Sequence, residues 1–293
     1  MISIIIPAYR SHDTIVATLR SLLAQSRLAD EIIVVDSSSD EATCEVVQPF
    51  LGAIHYVRSA ERLFPHAARN RGVAISKGDL LVFTDPDVVA HPDWLARLEH
   101  AHQGGRPVVV GAVDCYGRRW LDVGVHLCKF DSWLPGGKGR PIAIGPTVNM
   151  SVTREAFEAV GGFDANSFLA DTTLSWALTA AGYPLWFEPE AIVRHDHQQR
   201  LSGLFRERFM RGRDFGQIRV DDADWSPFRI AVWWLFSISL IRLVSLVARR
   251  VRFCAAAGWL GWLAVTWPIV VVGEAGWLWG EASAYRALLR RRS

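Results

Sequence analysis

In the first ninety residues the apolar positions fall in short runs, with amphipathic stretches between them. Ile2-Ser3-Ile4-Ile5-Ile6, Ile32-Ile33-Val34-Val35, Ile54-His55-Tyr56-Val57 and Leu80-Leu81-Val82-Phe83 are each the length of a strand. The runs with little or no polar break read as strands covered on both faces, as in a parallel sheet. Helical segments are expected near Ser11 to Gln25 and from Pro65 to Ser76. The resulting βαβαβαβ order predicts an α/β fold built on a parallel, doubly wound sheet. Ligands of such sheets bind beyond the carboxyl ends of the strands. Asp36 and the pair Asp85 and Asp87 fall at that edge.

The apolar run ending at Thr84 delivers two carboxylates one residue apart, in Asp85-Pro86-Asp87. Pro86 fixes its own φ and biases Asp85 toward an extended conformation, so the two side chains leave the strand in a defined relation. Mg²⁺ and Mn²⁺ prefer oxygen ligands, and Mg²⁺ is usually held by one or two carboxylates together with substrate phosphates. The competing reading is an ordinary turn in which the aspartates cap backbone donors.

Pro7-Ala8-Tyr9, Val34-Val35-Asp36-Ser37-Ser38, Ala68-Arg69-Asn70-Arg71-Gly72, Gly78-Asp79 and Phe83-Thr84-Asp85-Pro86-Asp87 together resemble, in order and spacing, family 2 glycosyltransferases of the GT-A fold, membrane-associated bacterial type. Asn149-Met150-Ser151, Val160-Gly161-Gly162-Phe163-Asp164 and Asp171-Thr172-Thr173-Leu174 resemble the acceptor-side half of that family, so the likeness covers about residues 1 to 195. The resemblance implies a Rossmann-like, mostly parallel central sheet with flanking helices. It places Pro7, Ala8 and Tyr9 beside the nucleotide, Asp36 and Ser38 at the base, which in this family is usually uracil, and Arg69 at the base or diphosphate. Asp85 would lie near the ribose and metal, and Asp87 would ligate Mg²⁺ or Mn²⁺. Asp36 as a cap for the next helix and Arg69 as a solvated helix residue are the alternatives.

Two departures stand out. Asp36-Ser37-Ser38-Ser39 replaces the family's usual Asp-Asp-Gly-Ser, and in the acceptor motif Ala170 and Ala177 stand where Glu and Arg are common. Asp171 remains, as the candidate base that removes the acceptor hydroxyl's proton in an inverting transfer. It would equally suit the N-cap of a helix from Thr172 to Ala181. Gly161 and Gly162 would end a helix from Arg154 to Val160. The resemblance makes their loop a wall of the sugar pocket, with Asn149, Gly162 and Asp164 as sugar or acceptor contacts. His195 and His197, two apart after the short strand Ala191 to Val193, would point the same way. His195 best matches the histidine that sometimes completes the metal shell in this fold; a surface histidine is the alternative.

Charge is unevenly spread. The net charge of +2 divides into −6 over residues 1 to 193 and +8 over the rest. The basic part also holds the longest apolar stretches. Ile230 to Ala248 is interrupted only by Arg242, and Phe253 to Val272 carries no charge. Their length predicts a C-terminal hydrophobic helical hairpin in the membrane, with Trp259, Trp262, Trp267 and Trp277 as interfacial anchors. Arg249, Arg250 and Arg252 would then face outward, against the positive-inside rule, which leaves an interfacial or re-entrant pair open. Leu201 to Val220 reads as a basic amphipathic helix facing either anionic headgroups or the core.

The expected organisation is a catalytic domain over 1–200, divided into a nucleotide-binding half (1–113) and an acceptor half (114–200). A basic helix and linker (201–228) and the membrane-associated hairpin with its basic tail (229–293) follow. A mobile loop is expected over 114–145, from its glycines. Four cysteines without a C-x-x-C pair suit a reducing compartment, and the first strand begins at Ile2, so no cleavable signal peptide is expected. The implied partners are a nucleotide-sugar donor, a lipid-linked or saccharide acceptor and the cytoplasmic face of the cell membrane, with no nucleic acid. The family's Gln-x-x-Arg-Trp signature of repeated addition does not occur, which favours single additions. A nucleotidyltransferase would need a glycine-rich phosphate loop where Pro7-Ala8-Tyr9-Arg10 stands; a non-catalytic nucleotide-sugar binder is the other class.

Overall fold

The computed structural model describes residues 1–165, 167, 169–197 and 200–292. The chain divides into two compact units, one made of 1–116 with 135–196 and the other of 117–134 with His197 onward.

The first unit opens with β1 (Ile2–Ala8), α1 (Ile15–Leu23), β2 (Glu31–Asp36), α2 (Ala42–Val47), β3 (His55–Arg58), α3 (Pro65–Ile75) and β4 (Leu80–Thr84). Every residue of β1 and β4 is buried, as their unbroken apolar runs require. β1, β2, β3 and β4 pair in parallel, in the order 3-2-1-4. Then come β5 (Val88–Ala90), α4 (Trp94–Gln103) and β6 (Val108–Cys115).

The segment expected to be a loop over 114–145 is largely ordered. It contains α5 (Trp120–Phe130), a 3-10 turn at Asp131–Trp133 and β7 (Arg140–Ile142). The glycines misdirected the reading, because Gly136 and Gly137, at φ 102° and 76°, only make the turn after a helix that buries Val123, Val125 and Leu127. β8 (Asn149–Thr153), α6 (Arg154–Ala159), α7 (Ala170–Ala180) and β9 (Leu185–His195) complete the unit. Among the described residues nine strands form one sheet, in the order 3-2-1-4-8-6-9-5, with β7 also on β9. Beyond β4 the sheet is mixed, since β8 runs antiparallel to both β4 and β6, while β5 and β7 run antiparallel to β9.

The second unit holds α5 with α8 (Leu201–Asp222), α9 (Pro227–Ser237), α10 (Leu240–Ala256) and α11 (Leu260–Arg292). α8 and α11 approach backbone to backbone: a Cβ on Gly280 would lie 2.0 Å from the Phe209 carbonyl oxygen, and one on Gly212 2.2 Å from that of Trp277. The expected hairpin differs in detail. Ile230 to Ala248 is not one rod but the bent pair α9 and α10, turned by 67°. Ser239 makes the break, its Oγ accepting from the Arg242 N–H and donating to the Phe236 carbonyl. Phe253 belongs to α10, and Gly258, at φ 75°, separates α10 from α11. Among the described residues α11 is the one single helix long and apolar enough to cross a membrane, and the bent pair α9 and α10 reaches that length only if taken together.

Candidate active site

The chain leaves β4 at Thr84 and re-enters the sheet as β5, so Asp85-Pro86-Asp87 forms a short connection at the carboxyl end of β4. β5 pairs antiparallel with the end of β9, Val88 opposite His195, and the Asp196 N–H donates to the Asp87 carbonyl at 2.9 Å. This register carries His195 to the carboxylates. Its Nε2 lies 3.6 Å from Asp87 Oδ1, and one ligand atom from each of Asp85, Asp87 and His195 falls within 4.8 Å of the others.

Arg69, buried on α3, ion-pairs with Asp85 and lies 3.3 Å from His66 Nδ1. Asp85 therefore shares its charge with an arginine, while Asp87, with its side chain 35 % exposed, is the more open carboxylate. Two carboxylates and an imidazole fit a Mg²⁺- or Mn²⁺-type cation by their donor chemistry. The expected grouping of Asp85, Asp87 and His195 is thus a spatial one, with Arg69 joined to it. His197 does not share it. β9 ends at His195, and in the second unit His197 Nε2 lies 2.9 Å from His126 Nδ1.

Asp36 ends β2 in a separate network. Its Oδ1 accepts from the Ser38 N–H at 2.9 Å and the Ser38 hydroxyl at 2.6 Å, and its Oδ2 accepts from the Tyr56 hydroxyl at 2.5 Å. Burial, and then the hydrogen bond to Asp36, hold the Tyr56 phenol far above its ordinary pKa, so it stays a donor. Ser38 also accepts from the Arg10 N–H at 2.7 Å, tying the turn after Pro7-Ala8-Tyr9 to β2. Arg10 holds a φ of 51°, which puts a bend where the expected nucleotide turn lies. The Arg62 guanidinium covers the Tyr9 ring at 4.5 Å. Sequence reasoning passed over Tyr56, Arg62 and His66. Tyr56 stood on a recognised strand, so its polar tip was the available signal; Arg62 had none.

On the acceptor side Asn149 is fully buried. Its Oδ1 accepts from Trp94 Nε1 and its Nδ2 donates to the carbonyls of Ala112 and Ala191. Those bonds tie β6, β8, β9 and α4 together and present no amide atom to a sugar. Gly162, at φ 77°, ends the turn after α6, and Asn70 of α3 clasps the next residue through both the N–H and the carbonyl of Phe163. Asp164 is exposed in that loop. Asp171 lies in the first turn of α7 rather than at its cap, which is Leu169; Asp171 Oδ1 accepts from the Thr172 N–H at 2.8 Å.

These placements can be set beside known proteins. The model of "Glycosyl transferase family 2" matches residues 3–159. The chain is 29 % identical to the glycosyltransferase AglE of Haloferax volcanii over 259 residues, covering 85 % of this chain and 82 % of that one. It is 30 % identical to the pre-mycofactocin glycosyltransferase of Mycobacterium tuberculosis over 80 % of this chain, and spans 55 % of that relative's length. Among solved structures, the mannosyltransferase PcManGT of Pyrobaculum calidifontis, in complex with GDP-Man and Mn²⁺, superposes with a TM-score of 0.60 at 18 % identity over 95 % of this chain and 87 % of its own, a likeness of fold. With more than half of its residues under the family model and a GT-A sheet carrying the motifs, the chain belongs to glycosyl transferase family 2.

Proposed function

We propose that the chain is an inverting, metal-dependent transferase that moves a sugar from a nucleoside diphosphate donor, a UDP-sugar, to a hydroxyl of a lipid-linked or saccharide acceptor. The setting is the cytoplasmic face of the cell membrane, in cell-surface polysaccharide or glycolipid synthesis. The observation that carries this reading is the convergence of Asp85, Asp87 and His195 at the sheet's carboxyl edge. The Mn²⁺ and nucleotide sugar bound by the mannosyltransferase of like fold support it.

In this reading Asp87 and His195 would hold Mg²⁺ or Mn²⁺, together with Asp85, which Arg69 pairs. When bound, the cation neutralises the charge that develops on the departing diphosphate. Arg69 keeps Asp85 oriented through their ion pair. Tyr9, under Arg62, flanks the nucleotide, and Asp36, steadied by Ser38 and Tyr56, sits at the base. Asp171 takes the acceptor hydroxyl's proton as that oxygen attacks the anomeric carbon from the side opposite the diphosphate, which inverts the configuration. The Thr172 N–H fixes the orientation of its carboxylate. Asp164 and the Gly162 turn line the sugar side. Nucleotide sugars are cytosolic, and the length of α11 supports a membrane setting.

The test measures nucleoside diphosphate release and donor binding in parallel, over a panel of UDP- and GDP-sugars with Mn²⁺. Asp171→Asn is expected to lower turnover by about 10²- to 10⁴-fold, the usual worth of a positioned general base, while donor affinity holds. Undiminished turnover in Asp171→Asn sinks the assignment. Donor binding without release in the wild type would mark the chain as a binder.

A further inference from the structure

α10 is built inside out. On a helix facing water the arginines point outward and the aliphatic residues inward. Here Arg242, Leu246, Arg250 and Cys254, spaced four apart, form the inward stripe. Arg242 donates to Glu281 at 3.2 Å, and Arg250 bridges Asp131 at 3.1 Å and Glu274 at 2.8 Å. Glu274 and Glu281 lie two turns apart on α11, and Arg208 and Arg219 of α8 reach them from another side. Each of these four arginines therefore has a carboxylate partner within the unit. Arg242, which interrupts the apolar run from Ile230 to Ala248, is paired.

The outer face is the reverse. Around the α9–α10 bend, Leu235, Ile238, Leu240, Ile241 and Val244 are between 58 % and 73 % exposed. Soluble monomers seldom leave so continuous an apolar ridge in water. At the far end of α10, Arg249 and Arg252 are exposed beside the apolar Val251, which puts cations at the rim of the ridge.

We propose that the α9–α10 elbow is a membrane wedge, lying in the plane of the bilayer with the ridge from Leu235 to Val244 in the acyl layer and Arg249 and Arg252 among anionic headgroups. The 67° bend at Ser239 and the cationic rim fit a helix pair lying at the interface better than a span, because a span would carry those exposed arginines across to the outer side, against the positive-inside rule. Charge complementarity selects the partner, since an anionic lipid surface answers both the ridge and its rim. The proposal rests on the membrane setting given above, but it concerns how the chain meets the lipid and needs no assumption about the sugar reaction.

The experiment uses the full chain and vesicles of equal phosphatidylcholine and phosphatidylglycerol. Ile241→Cys and, separately, Arg252→Cys are made in a Cys44→Ser background, because Cys44 is the one partly exposed cysteine. Each is labelled with an environment-sensitive fluorophore. With vesicles, the label at 241 is expected to shift to the blue and to be quenched by spin labels in the acyl chains, and the label at 252 only by spin labels at the headgroup. Leu240→Glu with Ile241→Glu should weaken flotation with the vesicles by about tenfold or more. Donor-induced thermal stabilisation should survive in that variant, so a failed wedge and a failed transferase reading give different results.

A label at 241 that stays open to aqueous iodide in the presence of vesicles overturns the proposal. So does labelling of residue 252 from the far side of a sealed vesicle, which would make α10 a span. A vesicle-independent dimer that the double variant dissociates would also overturn it, since a second copy of the chain would then cover the ridge. The labelling readout needs no drastic substitution, so it stands even if the double variant fails to fold.

Discussion

The Tyr56 hydroxyl donates to Asp36 Oδ2 at 2.5 Å, and Ser38 holds the other carboxylate oxygen through both its N–H and its side chain. The carboxylate proposed to read a donor's base is thus already bound on both oxygens and fully buried. A base N–H must share Oδ2 with the phenol or displace it.

Tyr56→Phe removes that donor and leaves a buried, charged oxygen one bond short. Hydrogen bonds to charged groups contribute about 1.5–3 kcal/mol, and urea unfolding should show a loss of that size. Donor affinity, read by titration with a UDP-sugar, is expected to hold or rise as Oδ2 becomes available to the base. A fall in affinity with unchanged stability would show that the phenol itself touches the nucleotide.

The proposed cation site divides its labour unequally, because Asp85 is ion-paired with the buried Arg69 while Asp87 and His195 pair with each other. Asp87→Ala should abolish Mn²⁺-dependent donor binding, and added Mn²⁺ should not rescue it. His195→Ala is expected to raise the Mn²⁺ concentration needed for half-maximal transfer by at least about tenfold, with rescue at high metal. In the wild type, EDTA should remove donor binding and Mn²⁺ restore it. Equal metal titrations for wild type and His195→Ala would return His195 to an ordinary strand residue.

What could be read in advance follows the range of the interaction. The first four strands and α3 were legible because unbroken apolar runs are local, and Asp85-Pro86-Asp87 because a strand end fixes where its side chains emerge. The pairing of Val88 with His195 is a contact across more than a hundred residues, so resemblance could suggest His195 but periodicity could not. Asn149 fell in a motif expected to meet sugar, yet its amide ties three strands and Trp94 together. Residue type was visible in the sequence and burial was not. The partners of the C-terminal arginines were hidden for the same reason: the sequence left the helix of Arg208 between headgroups and core and showed Arg242 only as a break in an apolar run, whereas Arg208, Arg242 and Arg250 turn inward onto two glutamates more than twenty residues away.

A pH effect on stability is expected from His102. Burial pushes its pKa from an ordinary 6.5 down to about 4, where it lies 2.8 Å from the Ser151 hydroxyl between α4 and β8. The unfolded chain therefore takes up the proton more readily than the folded one. The stabilisation is complete above about pH 6.5, fades as pH falls toward 4, and is lost below that. Part of the ring still meets solvent, which trims the effect to about 2 kcal/mol. Urea midpoints measured from pH 7.5 to 4 should fall more steeply in the wild type than in His102→Gln; parallel curves would mean the histidine titrates alike in both states.

Arg250 gives the severest test of the second unit. Its side chain is 1 % exposed and bridges Asp131 to Glu274, two carboxylates that are themselves buried. Arg250→Met keeps most of the volume and removes the charge. Arg249 at 3.7 Å from Asp131 and Arg208 at 3.6 Å from Glu274 remain, both farther than Arg250. Breaking a buried pair from one side costs about 3–5 kcal/mol, because the partner's charge is left without its counterion. Removing the stranded carboxylate as well should recover part of that loss, so Arg250→Met with Glu274→Gln is expected to be more stable than Arg250→Met alone. A double-mutant cycle by urea unfolding measures the coupling, expected at about 1–3 kcal/mol. Additive losses would mean that Arg250 acts through packing, and that the bridge between α10 and α11 contributes nothing of its own.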